Sequence, residues 1–388
     1  MSEHKNTPEL RFPEFKDEWY QSNLDEMCSF TSGGTPSRKI NKYWDGDIPW
    51  ITTSDLNNKF IKNIFTKITS SGLKNSSAKL ITEPAIILAM YGQGKTRGKC
   101  SILNFPATTN QACAILQPNE FNNIEFVYQF LEKNYTYLRA QSNEGSQKNL
   151  SLSLLKKIKI NYPSLFEQNK ISDFFSKLDR QIELEEEKLE LLEQQKRGYM
   201  QQIFSQKLRF KDENGNDYPD WEETTLKNIT NYISSKKSSN QYNESNNSEG
   251  YPVYDAIQEI GKDLQYDMKE SYISILKDGA GVGRLNLRAG KSSVIGTMGY
   301  IQANNVDIQF LYYRMKLLNF RKFIIGSTIP HLYYKDYSKE KILIPTSNDE
   351  QKKIGNFILN IDKLIDNKTL KLDYLKQRKQ SLLQRMFI

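Results

Sequence analysis

Glu167–Phe204 reads EQNKISDFFSKLDRQIELEEEKLELLEQQKRGYMQQIF, and Glu350–Phe387 reads EQKKIGNFILNIDKLIDNKTLKLDYLKQRKQSLLQRMF. The two stretches align without a gap at a constant offset of 183 residues, the distance from Glu167 to Glu350. Identical residues recur along the whole alignment, from the leading Glu-Gln pair to the closing phenylalanine. An alignment of this length indicates that the chain contains an internal duplication.

Both stretches have the pattern of a long amphipathic helix. Their apolar residues recur at intervals of three, four and seven, and neither stretch contains proline. An unbroken helix of this length would measure roughly 55 Å at 1.5 Å per residue. A lone helix would leave its apolar stripe in water, so the two copies are predicted to pair. The residues predicted to form the pairing face are Ile171, Phe175, Leu178, Ile182, Leu189, Leu192, Ile354, Ile358, Ile361, Ile365, Leu372 and Leu375.

The charges of the two copies are complementary. Residues 183–193 carry six glutamates against one basic residue, Lys188, and residues 368–385 carry six basic residues against one acidic residue, Asp373. Oppositely charged flanks would set the partner and orientation of the helices, as they do in coiled coils. The alternative is that each charge run is simply a solvated helix face.

The length of 388 residues allows two or three domains. No apolar run approaches the roughly 20 residues needed to cross a bilayer, and the first residues, MSEHKNTPELRF, have no apolar signal-peptide core. The three cysteines have no motif spacing, and only two histidines accompany them, so neither a disulfide framework nor a zinc site is predicted. These features favour a reducing cytoplasmic location without membrane contact.

The chain is basic, with a formal net charge of +8 and a pI near 9.0. A basic balance points to an anionic partner, and nucleic acid is the partner it fits best. Many basic proteins bind no polyanion, so this prediction needs support from the loops.

The repeat extends beyond the helices, because LRF occurs at both Leu10–Phe12 and Leu208–Phe210. We therefore predict a first globular block over 1–165, a long helix over 166–207, a second block over 208–345 and a second long helix over 346–388. Mixed α/β is the predicted class of both blocks. The segments predicted as strands are Ile48–Thr53, Ala85–Met90, Thr108–Leu116 and Tyr272–Leu276, and a helix is predicted over Asn122–Asn134.

One stretch resembles a phosphate-binding P-loop, namely Ala89-x4-Gly94-Lys95-Thr96. A working P-loop leads directly into a helix, whereas SILNF, which follows Lys99, has the composition of a strand. Its glycines are better explained by a hairpin loop that brings lysines and an arginine close to backbone phosphates. No other catalytic motif is recognised, including the G-x-S-x-G and HExxH patterns.

Basic, polar and glycine-bearing loops are the predicted DNA contacts. Arginine can read guanine, asparagine and glutamine can read adenine, and lysine mostly contacts phosphate. The alternative for each is an ordinary solvated loop residue and, for His331, a structural role. In the first block the predicted contacts are Thr35, Ser37, Arg38, Lys39, Tyr91, Gln93, Lys95, Thr96, Arg97, Lys99, Asn110, Gln111, Gln147 and Lys148. In the second block they are Lys236, Lys237, Tyr254, Arg284, Arg288, Lys291, Thr297 and His331.

These residues resemble the specificity subunit of type I restriction–modification systems over the whole chain. The resemblance is carried by GGTPSR…YWDGDIPWITTSDL, GQGKTRGK followed by TTNQACAIL, KDGAGVGR…VIGTMGYIQ and the duplicated EQ-x-K-I helices. It implies an α/β fold with two target-recognition domains separated by two antiparallel coiled-coil helices and related by a pseudo-twofold repeat. Each domain would read one half of a bipartite, asymmetric DNA site, and the helices would set the spacing between the halves.

The resemblance also implies partners. Double-stranded DNA, two methylation subunits docked on the helices and two restriction subunits are expected. S-adenosylmethionine, ATP and Mg would then be bound by the partner subunits, and this chain would bind no cofactor and catalyse no reaction. Two rival functions are a stand-alone DNA methyltransferase or nuclease with an unusual site, and a coiled-coil adaptor whose basic surface is incidental.

Overall fold

The fold is that of a computed structural model, which describes residues 6–92, 95–140, 149–242 and 249–388. The chain divides into two compact units. The first comprises Met1–Glu186 together with Leu370–Ile388, and the second comprises Glu187–Thr369. The division falls within both long helices, so each unit contains part of each helix.

The first unit is a mixed α/β structure. Its strands are β1 Tyr20–Asn23, β2 Cys28–Ser32, β3 Trp44–Ile51, β4 Lys67–Ile68, β5 Ala85–Ala89, β6 Cys100–Leu103, β7 Thr108–Thr109, β8 Cys113–Pro118 and β9 Lys159–Tyr162. Its helices are α1 Leu24–Met27, α2 Ser70–Lys74, α3 Ile124–Lys133, α4 Tyr135–Ala140, α5 Leu152–Lys156 and the beginning of α6 Leu165–Phe204. Short 3-10 turns lie at Asn41–Tyr43 and Thr53–Asp55.

An antiparallel sheet in the order β2-β8-β5-β6 forms the centre of the first unit. A smaller sheet, β4-β3-β7, contains the parallel pair β3 and β7, and β1 pairs with β9. All of β5 is buried, and its alternate side chains enter two cores. Ile86 and Leu88 pack with Phe126 of α3, whereas Ile87 packs with Ile51 of β3. Apolar residues on both faces explain why β5 reads as a continuous apolar run.

Most predicted elements of this unit are confirmed, and one is wrong. The predictions over Ile48–Thr53, Ala85–Met90 and Asn122–Asn134 overlap β3, β5 and α3. Thr108–Leu116 is not one strand, because a turn divides it into β7 and β8, which belong to different sheets. Asn110 forms that turn, since its Oδ1 accepts a hydrogen bond from the Ala112 N–H at 3.1 Å.

The second unit repeats the topology of the first. Its strands are β10 Trp221–Thr225, β11 Thr230–Ser234, β12 Tyr251–Tyr254, β13 Glu259–Asp263, β14 Tyr272–Leu276, β15 Leu285–Arg288, β16 Ser293–Val294, β17 Met298–Ala303, β18 Ile324–Ile325, β19 His331–Leu332 and β20 Lys341–Pro345. Its helices are α7 Leu226–Ile229, α8 Ile308–Lys316, α9 Tyr334–Tyr337 and α10 Asn348–Met386, and 3-10 turns lie at Ser239–Gln241 and Phe320–Phe323.

The matching sheets are β11-β17-β14-β15, β13-β12-β16 and β10-β20. β12 and β16 are parallel, as β3 and β7 are in the first unit. The predicted strand Tyr272–Leu276 is confirmed as β14. The second unit also contains the antiparallel pair of β18 with β19. The duplication inferred from the helices therefore extends to the sheets of both blocks.

Within each unit α6 and α10 pack antiparallel. In the first unit Asp179 pairs with Lys379 at 2.6 Å, and Glu185 pairs with Lys371 at 2.8 Å, so partner numbers fall as α6 advances. In the second unit the ring of Tyr199 contacts Phe357, with 5.2 Å between the ring centroids. The Glu185–Lys371 pair confirms the predicted charge complementarity of the two copies.

The predicted pairing face contacts the blocks as well as the partner helix. Ile171 and Phe175 pack with Trp19 and Phe126 of the first block, and Ile354 and Ile358 occupy the equivalent place in the second unit. The helix ends therefore complete the domain cores. The other buried members are Leu178, Leu372 and Leu375, and the half-buried members are Ile182, Leu189, Leu192, Ile361 and Ile365.

Candidate nucleic-acid interface

The polar loops of the first block meet at one edge of its sheets. The Gly34 N–H donates to the Thr109 carbonyl at 2.9 Å, and the Asn110 N–H donates to the Ile51 carbonyl at 2.9 Å. A Cβ on Gly33 would lie 2.1 Å from the Thr109 oxygen, so this approach requires glycine. These bonds bring the loop 35–39 beside the turn at 110–111, and both segments contain predicted DNA contacts.

Several predicted contacts are displayed on this edge. Arg38 is exposed, and its guanidinium stacks on the Trp44 ring with 3.6 Å to the centroid, which limits its freedom before any ligand binds. The Thr35 hydroxyl is hydrogen-bonded to Gln111 Oε1. Ser37 and Lys39 are exposed on either side of Arg38.

The loop between β5 and β6 forms a hairpin, as predicted, and a strand follows it. Tyr91 and Lys95 are exposed, whereas Thr96 is half-buried. Arg97 is also half-buried, and its Nη2 donates to the Arg139 carbonyl at 2.7 Å. Lys99 Nζ donates to Asn57 Oδ1 at 3.3 Å. Gln93, Gln147 and Lys148 lie outside the described residues.

The second block assembles its loops at the corresponding edge. The Gly296 N–H donates to the Lys237 carbonyl at 2.7 Å, and the Lys277 N–H donates to the Thr297 carbonyl at 2.9 Å. His331 Nδ1 lies 2.7 Å from Asp278 Oδ1. Lys236, Lys237, Thr297 and His331 are thereby brought together, although they are far apart in the sequence. Lys236 and Thr297 are exposed, whereas Lys237 and His331 are partly buried.

Three basic side chains at this edge, Lys237, Lys277 and His331, have acidic partners nearby. Lys237 forms a 2.6 Å ion pair with Asp263, and its hydrogen bond holds the pKa of that carboxyl at about 2. Burial raises the pKa of Asp278, but hydrogen bonds from Lys277 and His331 outweigh it and leave the pKa below its usual range. Part of the charge on this edge is therefore balanced within the protein.

The remaining predicted contacts differ in exposure. Arg288 is half-buried over the Tyr254 ring, 4.1 Å from the centroid, and its Nη2 donates to the Asp255 carbonyl at 3.1 Å. Burial lowers the pKa of the Arg288 guanidinium. Arg284 and Lys291, by contrast, are exposed on the loops that precede and follow β15.

A buried cluster of one arginine, one tryptophan and one glutamate joins the N-terminal segment of each half to its long helix. We call this cluster the clamp; its residues were not among the predicted site residues. Glu167 accepts two 2.7 Å hydrogen bonds from Arg11 and one from Trp19 Nε1 at 3.4 Å. Arg209, Trp221 and Glu350 repeat this arrangement in the second unit. The signal was present, because the LRF segments, the tryptophans and the Glu-Gln pairs all recur in the sequence.

The glutamine after each clamp glutamate joins two further elements to the long helix. Gln168 accepts a hydrogen bond from the Asn123 N–H and donates one to the Pro163 carbonyl, both at 3.0 Å. Gln351 bonds Asp307 and Pro345 in the same manner, both at 2.8 Å. Asn123 and Asp307 are the N-caps of α3 and α8. The recurring Glu-Gln pair thus fixes each block on its helix.

Among the described residues no set of three or more histidine, cysteine, aspartate or glutamate side chains is arranged to hold a metal ion. In the same part of the chain, no helix combines the length and apolar character of a membrane span.

Comparison with protein families identifies the duplicated unit. The model of the type I restriction modification DNA specificity domain matches the chain twice, over residues 16–194 and 218–377. The chain belongs to this family. The two matches coincide with the two repeats of the structure, each with a block and most of a long helix.

Individual members of this specificity family are similar to the chain over different lengths. The MjaIX specificity subunit of Methanocaldococcus jannaschii is 33% identical over 198 residues, which cover 50% of this chain and 44% of that protein. The EcoR124I/EcoR124II specificity subunit of Escherichia coli is 30% identical over 44% of this chain and 43% of its own length. The chain thus matches less than half the length of these two relatives. The MjaVIII specificity subunit of M. jannaschii is 23% identical over 96% of this chain and 92% of its own.

A solved structure shows the same fold. The S subunit of a type I restriction–modification system from M. genitalium matches with a TM-score of 0.68 and covers 98% of this chain and 99% of that one. Its sequence identity is 18%, so the likeness concerns the fold alone.

Proposed function

We propose that the chain is the non-catalytic DNA specificity subunit of a type I restriction–modification complex. Each block, 1–165 and 208–345, would read one half of a bipartite, asymmetric DNA site. The observation that carries this proposal is the repeated framework, which presents different polar loops at equivalent edges of two like blocks. Like frameworks would bind like DNA geometry, and unlike loops would read unlike base sequences.

The loops of the two blocks offer different chemistry for base reading. The first displays Arg38 stacked on Trp44, beside Gln111, which suits guanine and adenine edges. The second displays Lys236, Thr297 and the exposed Arg284. Two half-sites of different sequence would follow from this difference.

The long helices, 166–207 and 346–388, would set the spacing of the half-sites and dock the methylation subunits. Within each unit, ion pairs and apolar contacts join α6 to α10, and these paired helices would form the spacer. Exposed apolar side chains on the same helices offer a docking surface. They include Leu191 and Leu364 in the second unit and Phe166, Leu370 and Tyr374 in the first.

The proposed complex contains double-stranded DNA, two methylation subunits and two restriction subunits in the cytoplasm. The methylation subunits would bind S-adenosylmethionine and methylate adenines in the site. The restriction subunits would use ATP and Mg to act on unmodified DNA. This chain would recognise the DNA sequence and bind none of these cofactors.

Methylome sequencing tests the proposal. Cells would express this chain with its methylation subunit, and methylated adenines should fall in one bipartite motif with an unspecified gap. Exchanging one block for that of another family member should change one half of the motif. Methylation that does not follow the exchanged block would contradict the proposal.

Two further measurements separate the rival functions. A stand-alone methyltransferase would transfer label from S-adenosylmethionine to DNA as a purified single chain, whereas a specificity subunit would not. A coiled-coil adaptor would bind its partners almost independently of salt, whereas DNA binding should weaken steeply as the salt concentration rises.

A further inference from the structure

The turn between β12 and β13, Asp255–Gln258, presents an apolar side chain to solvent. Ile257 at its tip is 74% exposed, and the neighbouring Gln258 is also exposed. An exposed β-branched aliphatic residue contributes little to the stability of such a turn, because turns favour glycine, asparagine and aspartate. The Ile257 side chain is therefore not explained by folding.

The backbone of this turn is held by hydrogen bonds within the turn and by hydrogen bonds from β15. Asp255 Oδ1 accepts hydrogen bonds from the N–H groups of Ile257 and Gln258, both at 2.6 Å. Asn286 Nδ2 donates to the Ala256 carbonyl at 3.1 Å, and Arg288 donates to the Asp255 carbonyl at 3.1 Å. The two exposed side chains therefore project from a fixed support, as base-reading residues require.

The turn lies beside the candidate DNA contacts of the second block. It follows β12, and β12 is parallel to β16, so the turn and the loop after β16 leave the sheet at the same end. The Ile295 N–H donates to the Tyr254 carbonyl at 3.1 Å, and Gly296 bonds Lys237. Ile257 and Gln258 thus share an edge with Lys237 and Thr297.

The first block has a turn at the equivalent place with different side chains. After β3, Asp55 Oδ2 accepts hydrogen bonds from the N–H and the hydroxyl of Thr52, both at 2.7 Å. Ser54 is the exposed residue there. A carboxylate-braced turn therefore occurs in both blocks, with a hydroxyl side chain in one and an aliphatic side chain in the other.

We propose that Ile257 and Gln258 read an A·T base pair in the major groove of the half-site bound by the second block. Ile257 contacts the thymine methyl group, and the Gln258 amide bonds the N6 and N7 edge of adenine. The inference rests on the proposed DNA-reading function and adds a specificity element to it. A protein partner is the other possible occupant, but a single aliphatic tip on a basic, polar edge suits a base edge better than an apolar interface.

The test uses the full chain co-expressed with its methylation subunit and a randomised DNA library. Ile257→Ala and Gln258→Ala should each weaken the preference for A·T at the same position of the second half-site. The sequence preference of the first half-site should not change. Gln258→Ala should weaken binding to the parental site roughly 5- to 150-fold, the range expected for a lost bidentate base contact. Leu343→Ala is the control, because Leu343 is an exposed aliphatic residue of the same block and lies on β20, which pairs with β10 and not with β12.

The outcomes separate this inference from the function on which it rests. A parent complex that selects no bipartite motif defeats both. A parent complex that selects a motif, with variants that select the same motif equally well, overturns only the reading by this turn. Loss of assembly with the methylation subunit, without a change of motif, would instead assign Ile257 to a protein contact.

Discussion

Asp179 and Lys379 form an ion pair in the first unit, and their repeat equivalents, Asp362 and Lys196, form the same pair in the second. The offset of 183 residues that relates the two aspartates also relates the two lysines. Each pair joins α6 to α10 beside a block, so one contact type was duplicated with the chain. The aspartate of each pair also accepts a hydrogen bond from its block, donated by Gln129 Nε2 in the first unit and by the Tyr313 hydroxyl in the second.

We predict that the Asp179–Lys379 pair stabilises the first unit. Both side chains are largely buried, so Asp179→Asn should lower the free energy of unfolding by on the order of 3 kcal/mol. The double variant with Lys379→Met should cost less than the two single variants combined, because the residues are in contact. Lys376→Met is the control, since its pair with Glu186 is half exposed and should be worth less than about 1 kcal/mol. Equal losses for Lys376→Met and Lys379→Met in denaturant titrations would refute the prediction.

The buried clamp is predicted to matter more than the exposed ion pair beside it. Glu167→Gln would leave the Arg11 guanidinium buried without its carboxylate, which should cost about 3 kcal/mol or more. Glu9→Gln removes an exposed pair between the same N-terminal segment and Arg385, and it should change stability by no more than about 0.5 kcal/mol. Chemical denaturation of both variants measures the difference. Similar values would show that burial does not set the strength of these contacts.

Much of this organisation could be predicted from the sequence, because duplication and helical periodicity are local and repetitive signals. The pairing of α6 with α10 followed from the apolar stripe and the complementary charges. The division of Thr108–Leu116 did not, since only the turn at Asn110 reveals that β7 joins another sheet. The clamp was also missed, because Arg11 and Glu167 meet only through the tertiary fold.

The exposure of each loop residue could not be predicted from the sequence either. Arg38 and Arg97 are both arginines in basic, glycine-bearing loops. The first is exposed on a tryptophan ring, and the second is bonded to the carbonyl of Arg139, 42 positions away. The partial burial of Arg97 depends on a residue far along the chain, which a loop pattern does not contain.

This difference in exposure predicts different effects for two arginine variants. Arg284→Ala should leave stability unchanged, weaken DNA binding of the assembled complex and reduce its salt dependence by about one phosphate contact. Arg97→Ala should instead lower the free energy of unfolding by about 1 kcal/mol through loss of the bond to Arg139. Binding isotherms at several salt concentrations, with thermal melts of the same samples, separate the two effects. The assignment is wrong if Arg284→Ala melts early or binds like the parent.

The ion pair between Lys237 and Asp263 predicts a dependence of stability on pH. The pKa of Asp263 is about 2, below the ordinary value of 3.8, so its carboxylate stabilises the fold above about pH 4. This contribution should be lost as the pH falls from about 4 to about 2. We expect it to be on the order of 1 kcal/mol, because the pair is partly solvated.

The measurement is the unfolding free energy of the parent and of Asp263→Asn over this pH range. The advantage of the parent should shrink as the pH falls. Lys237→Met should reduce the same pH-dependent difference, because Lys237 is the largest of several hydrogen-bond donors that lower the pKa of Asp263. Parallel curves for parent and variant would show that the pair is not coupled to folding.

The length of the paired helices is predicted to set the gap between the two half-sites of the DNA. Deleting 184–190 from α6 and 367–373 from α10 removes one heptad from each helix, which keeps the apolar stripes in phase. The two deletions are matched, because Glu185 pairs with Lys371 within them. Each helix shortens by roughly 10 Å, or about three base pairs of DNA. The unspecified gap of the methylated motif should therefore shrink by a few base pairs while both half-site sequences persist.

Deleting only 184–190 is the control. It shifts the register of α6 against α10 by one heptad, so we expect it to abolish methylation. An unchanged gap in the methylome of the matched deletion would show that something other than these helices sets the spacing.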